Sequence, residues 1–123
     1  MAAKDYIQQG QFMRPGQIQG MVYDWAEMEA MGAQDMNEVW ATKLKESQDP
    51  EHYSGGVYKS LEEGDWDESK PLEAVIESAA LHEGDPAYEV YLKDGYHRVA
   101  AAMDIEKRTG REINIPINYE DRR

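Results

Sequence analysis

Leu92-Lys93-Asp94-Gly95-Tyr96-His97-Arg98-Val99-Ala100-Ala101-Ala102 is where the chain turns from β to helical character, and its reading decides the fold. Just upstream, Ala87-Tyr88-Glu89-Val90-Tyr91-Leu92 is rich in aromatic and β-branched residues and predicts a strand. Downstream, Tyr96 to Arg108 predicts a helix, with Val99, Ala102, Met103 and Ile105 available for packing and Gly110 marking its end. A strand thus runs through an Asp-Gly turn straight into a helix. The first N–H groups of such a helix lack internal partners, and with the helix dipole they suit phosphate or another anion. Gly95 permits the tight turn, and His97 and Arg98 add side-chain donors, of which Arg can grip phosphate with two bonds.

Further out, Leu72-Glu73-Ala74-Val75-Ile76 after Pro71 reads as a strand, and Gly84-Asp85-Pro86 as a turn. Ile113-Asn114-Ile115-Pro116-Ile117-Asn118-Tyr119 alternates with period two. Pro116 cannot donate to a ladder, so this strand is expected at an edge or paired on one side only. Toward the N-terminus three helices are expected. Met21, Val22, Trp25, Met28 and Met31 recur at helical steps before Gly32. Asp35 with Glu38 forms an acidic variant of the capping box ahead of Met36, Val39, Trp40 and Leu44. A third helix is expected from Ser54 to Glu63, burying Val57, Tyr58 and Leu61, with Gly64 as a left-handed stop. Residues 1–20, rich in Gln and Gly, show neither period and read as a loosely held arm. The expected class is α+β: N-terminal helices on a small mixed sheet, crossed by the 96–108 helix, in one domain over residues 21–123 with its core at 54–119.

The motif resembles a known family. Asp94-Gly95-Tyr96-His97-Arg98-Val99-Ala100-Ala101-Ala102 is similar to the Gly-x-x-Arg helix start of the ParB/sulfiredoxin superfamily. The nearest pattern is that of small stand-alone ParB-like proteins, the ParB N-terminal or "ParB-like nuclease" type, in actinobacteria and their phages. Val57-Tyr58-Lys59-Ser60-Leu61-Glu62-Glu63-Gly64 followed by Pro71-Leu72-Glu73-Ala74-Val75 resembles the opening of that fold. Ile115-Pro116-Ile117 resembles its closing strand, and Trp40-Ala41-Thr42-Lys43-Leu44 the preceding helix of the stand-alone members.

The resemblance implies a nucleotide-phosphate site at Gly95, Tyr96, His97 and Arg98, with CTP or ATP and Mg²⁺ as the cofactor, and NTP hydrolysis or nuclease activity among the family's chemistries. Asp94 and Glu63 are then the candidate catalytic carboxylates, Glu63 because kinase-like relatives keep an acidic group near that position. Sulfiredoxin has its catalytic Cys where Tyr96 stands, which excludes its reductase chemistry. The helix-turn-helix that partition proteins use on centromeres would follow this domain, and four residues follow Tyr119, so that function is not expected.

Each candidate also has a plainer role. Asp94 can simply cap the helix; His97 can be a structural hydrogen-bonding residue; Arg98 can pair with a carboxylate of the Glu62–Glu68 stretch. That stretch, with five carboxylates in seven residues, is either a solvated loop or a Mg²⁺ holder opposite the phosphate site. Trp66 within it is either buried beneath the loop or a partner-binding anchor. His52, His82 and His97 show no metal-ligand spacing, so no metal ligands are assigned.

Charge sets the remaining limits. The net charge is −12, and it is uneven: residues 1–92 carry 6 Lys/Arg against 19 Asp/Glu, residues 93–123 carry 7 against 6. DNA binding relies on Lys and Arg neutralising phosphates, so direct binding to DNA without a partner is disfavoured. The acidic helical half suggests the alternative function, a non-enzymatic and phage-encoded protein that docks on a host protein or imitates the charge of DNA. Cys is absent, which removes disulfides and thiolate zinc sites. No apolar run approaches membrane-spanning length and no signal-peptide pattern opens the chain, so a cytoplasmic protein, in the host cytoplasm if phage-encoded, is expected.

Overall fold

A computed structural model of the chain describes residues 6–78 and 88–123. The Gly84-Asp85-Pro86 turn and His82 lie outside the described residues. In chain order the elements are β1 (Tyr6–Met13), α1 (Pro15–Met21), α2 (Trp25–Met31), α3 (Met36–Gln48), α4 (Val57–Glu63), β2 (Leu72–Ser78), β3 (Tyr88–Leu92), α5 (Tyr96–Thr109) and β4 (Ile115–Asp121). The architecture is α+β, with one mixed sheet of strand order β1-β4-β2-β3. β2 runs antiparallel to β3 and parallel to β4, so the β3-α5-β4 connection steps over β2.

The core lies between this sheet and α5. Leu72 and Ala74 of β2, Val90 and Leu92 of β3, and Ile115 and Ile117 of β4 form one buried cluster with Val99, Ala100, Ala101, Ala102 and Ile105. Because three successive alanines of α5 are buried, its surface is low enough for other helices to approach closely. α1, α3 and α4 all pack on α5, which makes it the axis of the helical layer.

Several elements differ from the sequence expectations, each for a local reason. Residues 1–20, expected to be a loosely held arm, instead contribute β1, paired antiparallel with β4, and α1, whose Pro15 and Ile18 are fully buried. A strand that pairs through its backbone needs no apolar period of its own, which is why the Gln-rich stretch shows none. β4 is therefore not an edge strand but an inner one. Pro116 is tolerated because it faces Phe12 of β1, while pairing with β2 begins one residue later, at Ile117 with Leu72.

The helix expected from Met21 begins at Trp25. Val22 to Asp24 is extended, with Tyr23 exchanging backbone hydrogen bonds with Val90 on β3 (2.8 and 3.2 Å). The Asp24 carboxylate then accepts the Glu27 amide at 3.0 Å as the N-cap of α2. Asp35 caps α3 in the same way through the Glu38 amide, while the Glu38 carboxylate accepts the Gln34 N–H. α4 starts at Val57 rather than Ser54 because Gly55 and Gly56 form the preceding turn, where a Cβ on Gly55 would stand 1.8 Å from the Asp49 carbonyl oxygen. Gly64 ends α4 in an extended conformation (φ −138°), not the expected left-handed one. Gly32 and Gly110 do take left-handed stops, at φ 67° and 76°.

Candidate functional site

The strand-to-helix junction is built around Gly95. Its φ of 101° favours glycine, and a Cβ there would meet Leu72 Cδ2 at 2.3 Å and the Arg98 guanidinium at 3.2 Å. Gly95 offers no side-chain cap, and the first helix-internal bond of α5 runs from the Val99 N–H to the Gly95 carbonyl (3.0 Å). The amides ahead of it, those of Tyr96, His97 and Arg98, are the donors that a helix start leaves over. Asp94 is exposed and its carboxylate accepts the N–H of Gly95 at 2.8 Å, one position before the helix proper.

The side chains of the motif diverge. Tyr96 turns into the core, donating its hydroxyl hydrogen to Asp24 and accepting the Leu92 N–H at 3.1 Å. Burial, then the bond to Asp24, push its phenol well above the ordinary tyrosine value. His97 is held by α3, its Nε2 at 2.8 Å from Glu46 Oε1. Arg98 lies over Trp66, with its guanidinium carbon 4.9 Å from the ring centroid. Trp66 is buried and its indole N–H donates to the Lys70 carbonyl oxygen.

Arg98 borders a cavity of about 400 Å³ whose other charged and aromatic walls are Tyr53, Asp65, Trp66, Asp67 and Lys70. Of the motif residues Asp94 to Arg98, Arg98 is the one that lines it. The Asp67 carboxylate is held below its usual range, first by the hydroxyl and amide of Ser69 and further by the charges of Lys70 and Arg98. Glu63 is not on this wall: it sits exposed at the end of α4, 3.9 Å from Lys59 one turn earlier. The carboxylates that the acidic stretch brings to Arg98 are Asp65 and Asp67.

The arginines divide sharply. Arg14 pairs with Glu106, Arg108 with Glu62, Arg122 with Glu77 and Glu120, and Arg123 with Asp121. Arg111 donates to the carbonyl oxygens of Leu61 and Glu62. Among the described residues, Arg98 is the arginine with neither a carboxylate within 4.0 Å nor a carbonyl acceptor.

No family model, curated protein or solved structure matches this chain.

On its other flank the helix start meets a cluster that sequence spacing does not reveal. Glu46 near the end of α3 receives both imidazoles, His97 Nε2 at 2.8 Å and His52 Nε2 at 3.1 Å. Burial raises the Glu46 pKa, but the bond from His97, with further electrostatic help from His52, Lys43 and His97, brings it below the ordinary value. Tyr53 packs on His52 in a tilted arrangement, at 4.4 Å between ring centroids, and meets the His97 ring edge-on at 5.8 Å. Two of the three histidines in the chain thus meet on one carboxylate, although 45 positions separate them. A partial signal exists in the sequence, since Glu46 and His52 flank the Asp49-Pro50 turn that reverses the chain.

No helix among the described residues is long and apolar enough to cross a membrane.

Proposed function

We propose that the protein binds a phosphate-bearing ligand, of the nucleotide class, in the cavity bordered by Arg98, Lys70 and Tyr53. One observation carries this reading: Arg98 holds an unpaired guanidinium against Trp66 at the mouth of that cavity. An unpaired arginine stacked on an indole is pre-oriented, so little side-chain freedom remains to be lost when an anion arrives. Lys70 adds a second cation, and the largely exposed ring of Tyr53 offers a stacking face for a base. Arg98 itself stands in the first turn of α5, whose dipole favours an anion. This agrees with what the resemblance to ParB-like proteins implies, with one change in the residues. Tyr96 contributes through its backbone alone, and His97 belongs to the Glu46 cluster.

Turnover is a separate matter. Asp94 folds onto its own turn and Glu63 lies outside the cavity, so on this reading the role of holding Mg²⁺ on a bound triphosphate falls to Asp65 and Asp67, which line the cavity. The test is an NMR titration with CTP, ATP, GTP and inorganic triphosphate, with and without Mg²⁺, following the amides of Gly95 to Arg98 and the indole of Trp66. Saturable shifts that vanish in Arg98→Ala support the reading. Unmoved signals at millimolar concentrations of every ligand sink it.

A further inference from the structure

We propose that Glu46, His52 and His97 form a binding site for a first-row divalent transition metal of the zinc or cobalt class. This rests on the cluster itself and not on phosphate binding at Arg98.

One potential ligand atom from each residue lies within 4.8 Å of the other two, with His97 Nε2 at 2.8 Å from Glu46 Oε1 and His52 Nε2 at 3.1 Å from Glu46 Oε2. A tetrahedral ion with bonds of about 2.1 Å keeps its ligand atoms about 3.4 Å apart, so small side-chain adjustments suffice to admit one. The three residues come from the end of α3, the following turn and the start of α5, so the backbone already holds the set together. The turn that carries His52 is closed by two backbone bonds, His52 N–H to Asp49 (3.0 Å) and Gly55 N–H to His52 (2.9 Å). All three side chains are partly buried, which limits their competing rotamers.

Donor chemistry selects the ion. Two imidazoles and a carboxylate suit Zn²⁺, Co²⁺ and Ni²⁺, whereas Mg²⁺ and Ca²⁺ prefer oxygen alone. Three protein ligands leave a position open for water or an anion, as in zinc sites that are not purely structural. The nearby Lys43 would oppose a cation, but its ammonium is engaged by Glu27 at 2.8 Å.

One hydrogen bond of the cluster must give way to the metal. His52 Nδ1 accepts the Ser54 N–H at 3.0 Å, so in the metal-free state the ring proton sits on Nε2 and is donated to Glu46. To ligate through Nε2, His52 must carry its proton on Nδ1, and the Ser54 amide must let go. That exchange gives up one backbone-to-ring hydrogen bond, which the new coordinate bond to His52 more than offsets. It also provides a signature: metal binding moves the Ser54 amide, which ligates nothing.

The experiment titrates chelator-stripped full-length protein with Zn²⁺ by calorimetry and with Co²⁺ by visible absorption, and follows the Ser54 amide by NMR. The expected result is one saturable equivalent, tetrahedral Co²⁺ bands and a shifted Ser54 signal. His97→Gln and Glu46→Gln, each able to keep a hydrogen bond in the cluster, should lose at least the roughly 10–100-fold in affinity that even outer-shell changes cost. His82→Ala, at the remaining histidine, should change nothing. Circular dichroism of each variant confirms that it is folded. No binding at millimolar Zn²⁺ overturns the proposal. So does affinity that is equal in wild type and His97→Gln, or an unmoved Ser54 amide at saturation.

Discussion

Tyr96 and Asp24, 72 positions apart, share a hydrogen bond in the core, and through it the start of α5 is tied to the start of α2. Asp24 uses its other carboxylate oxygen to cap α2 through the Glu27 amide, and Tyr96 also receives the Leu92 N–H. Removing the hydroxyl leaves a buried carboxylate oxygen and a buried amide without partners. Tyr96→Phe should therefore cost roughly 1–3 kcal/mol in urea unfolding. Asp24→Ala should cost about 1 kcal/mol more, because it removes the helix cap as well. An equal or smaller loss in Asp24→Ala would show that the cap contributes nothing. Phosphate affinity at Arg98 should be unchanged in Tyr96→Phe, since this hydroxyl faces away from the cavity.

Gly95 is the position where the fold and the proposed site place the same demand on the chain. A side chain at φ 101° is strained by roughly 1–3 kcal/mol, and the new Cβ would press on Leu72, which is itself buried. Leu72 can turn away only by disturbing the β2 face of the core. Gly95→Ala is expected to lower stability by about 2 kcal/mol or more and to shift the amides of residues 96–98 before any ligand is added. Gly56→Ala makes the control, since a Cβ there meets nothing within 4 Å and the backbone is ordinary. If the two variants unfold at the same urea midpoint, the strain argument fails.

The parts of the fold that were legible in the sequence are those whose signal is local. Strand-Asp-Gly-helix announced the β3–α5 junction, and Asp35 with Glu38 announced α3, because turn and cap chemistry is fixed by neighbours. β1 was illegible because its partner, β4, is about 100 positions away and supplies the backbone pairing that the Gln-rich sequence does not advertise. At the candidate site the residue types were readable but their directions were not. Adjacent residues on a helix point about 100° apart, so Tyr96, His97 and Arg98 face the core, α3 and the cavity in turn. The Glu46–His52–His97 cluster depends on how α3 packs on α5, which no spacing along the chain encodes.

Four phenols, two buried and two half-buried, give the protein an alkaline limit. Burial pushes Tyr96 up, as does the bond to Asp24; Tyr58 is raised by burial and Asp104, Tyr91 by burial and Glu77, and Tyr119 by burial. In the unfolded chain these groups ionise at about pH 10. Their contribution to stability is whole below that pH. Above it the unfolded state loses protons that the folded state keeps, so stability falls as pH rises toward the folded values. Urea midpoints should be level from about pH 7 to pH 9 and decline beyond about pH 10. Tyr96→Phe should show a shallower decline than wild type, and an unchanged slope would remove Tyr96 from this account.

Arg98 offers the most direct separation of charge from geometry. Charge-assisted hydrogen bonds contribute roughly 1.5–3 kcal/mol each, so Arg98→Ala should weaken triphosphate binding by at least about tenfold. Arg98→Lys keeps the charge but gives up the planar fork and its fit to the Trp66 face, and should recover only part of the loss. Trp66→Phe leaves Arg98 its charge and a smaller ring, and should fall between wild type and Arg98→Ala. The guanidinium has no hydrogen-bonded or ion-pair partner to orphan, so Arg98→Ala should unfold within about 1 kcal/mol of wild type, the scale of the stacking it loses. Calorimetry with inorganic triphosphate and ATP, beside urea unfolding of the same variants, reads both quantities. Full recovery in Arg98→Lys would mean that charge alone is recognised. Loss of stability well beyond that of the stacking would mean that Arg98 serves the fold rather than a ligand.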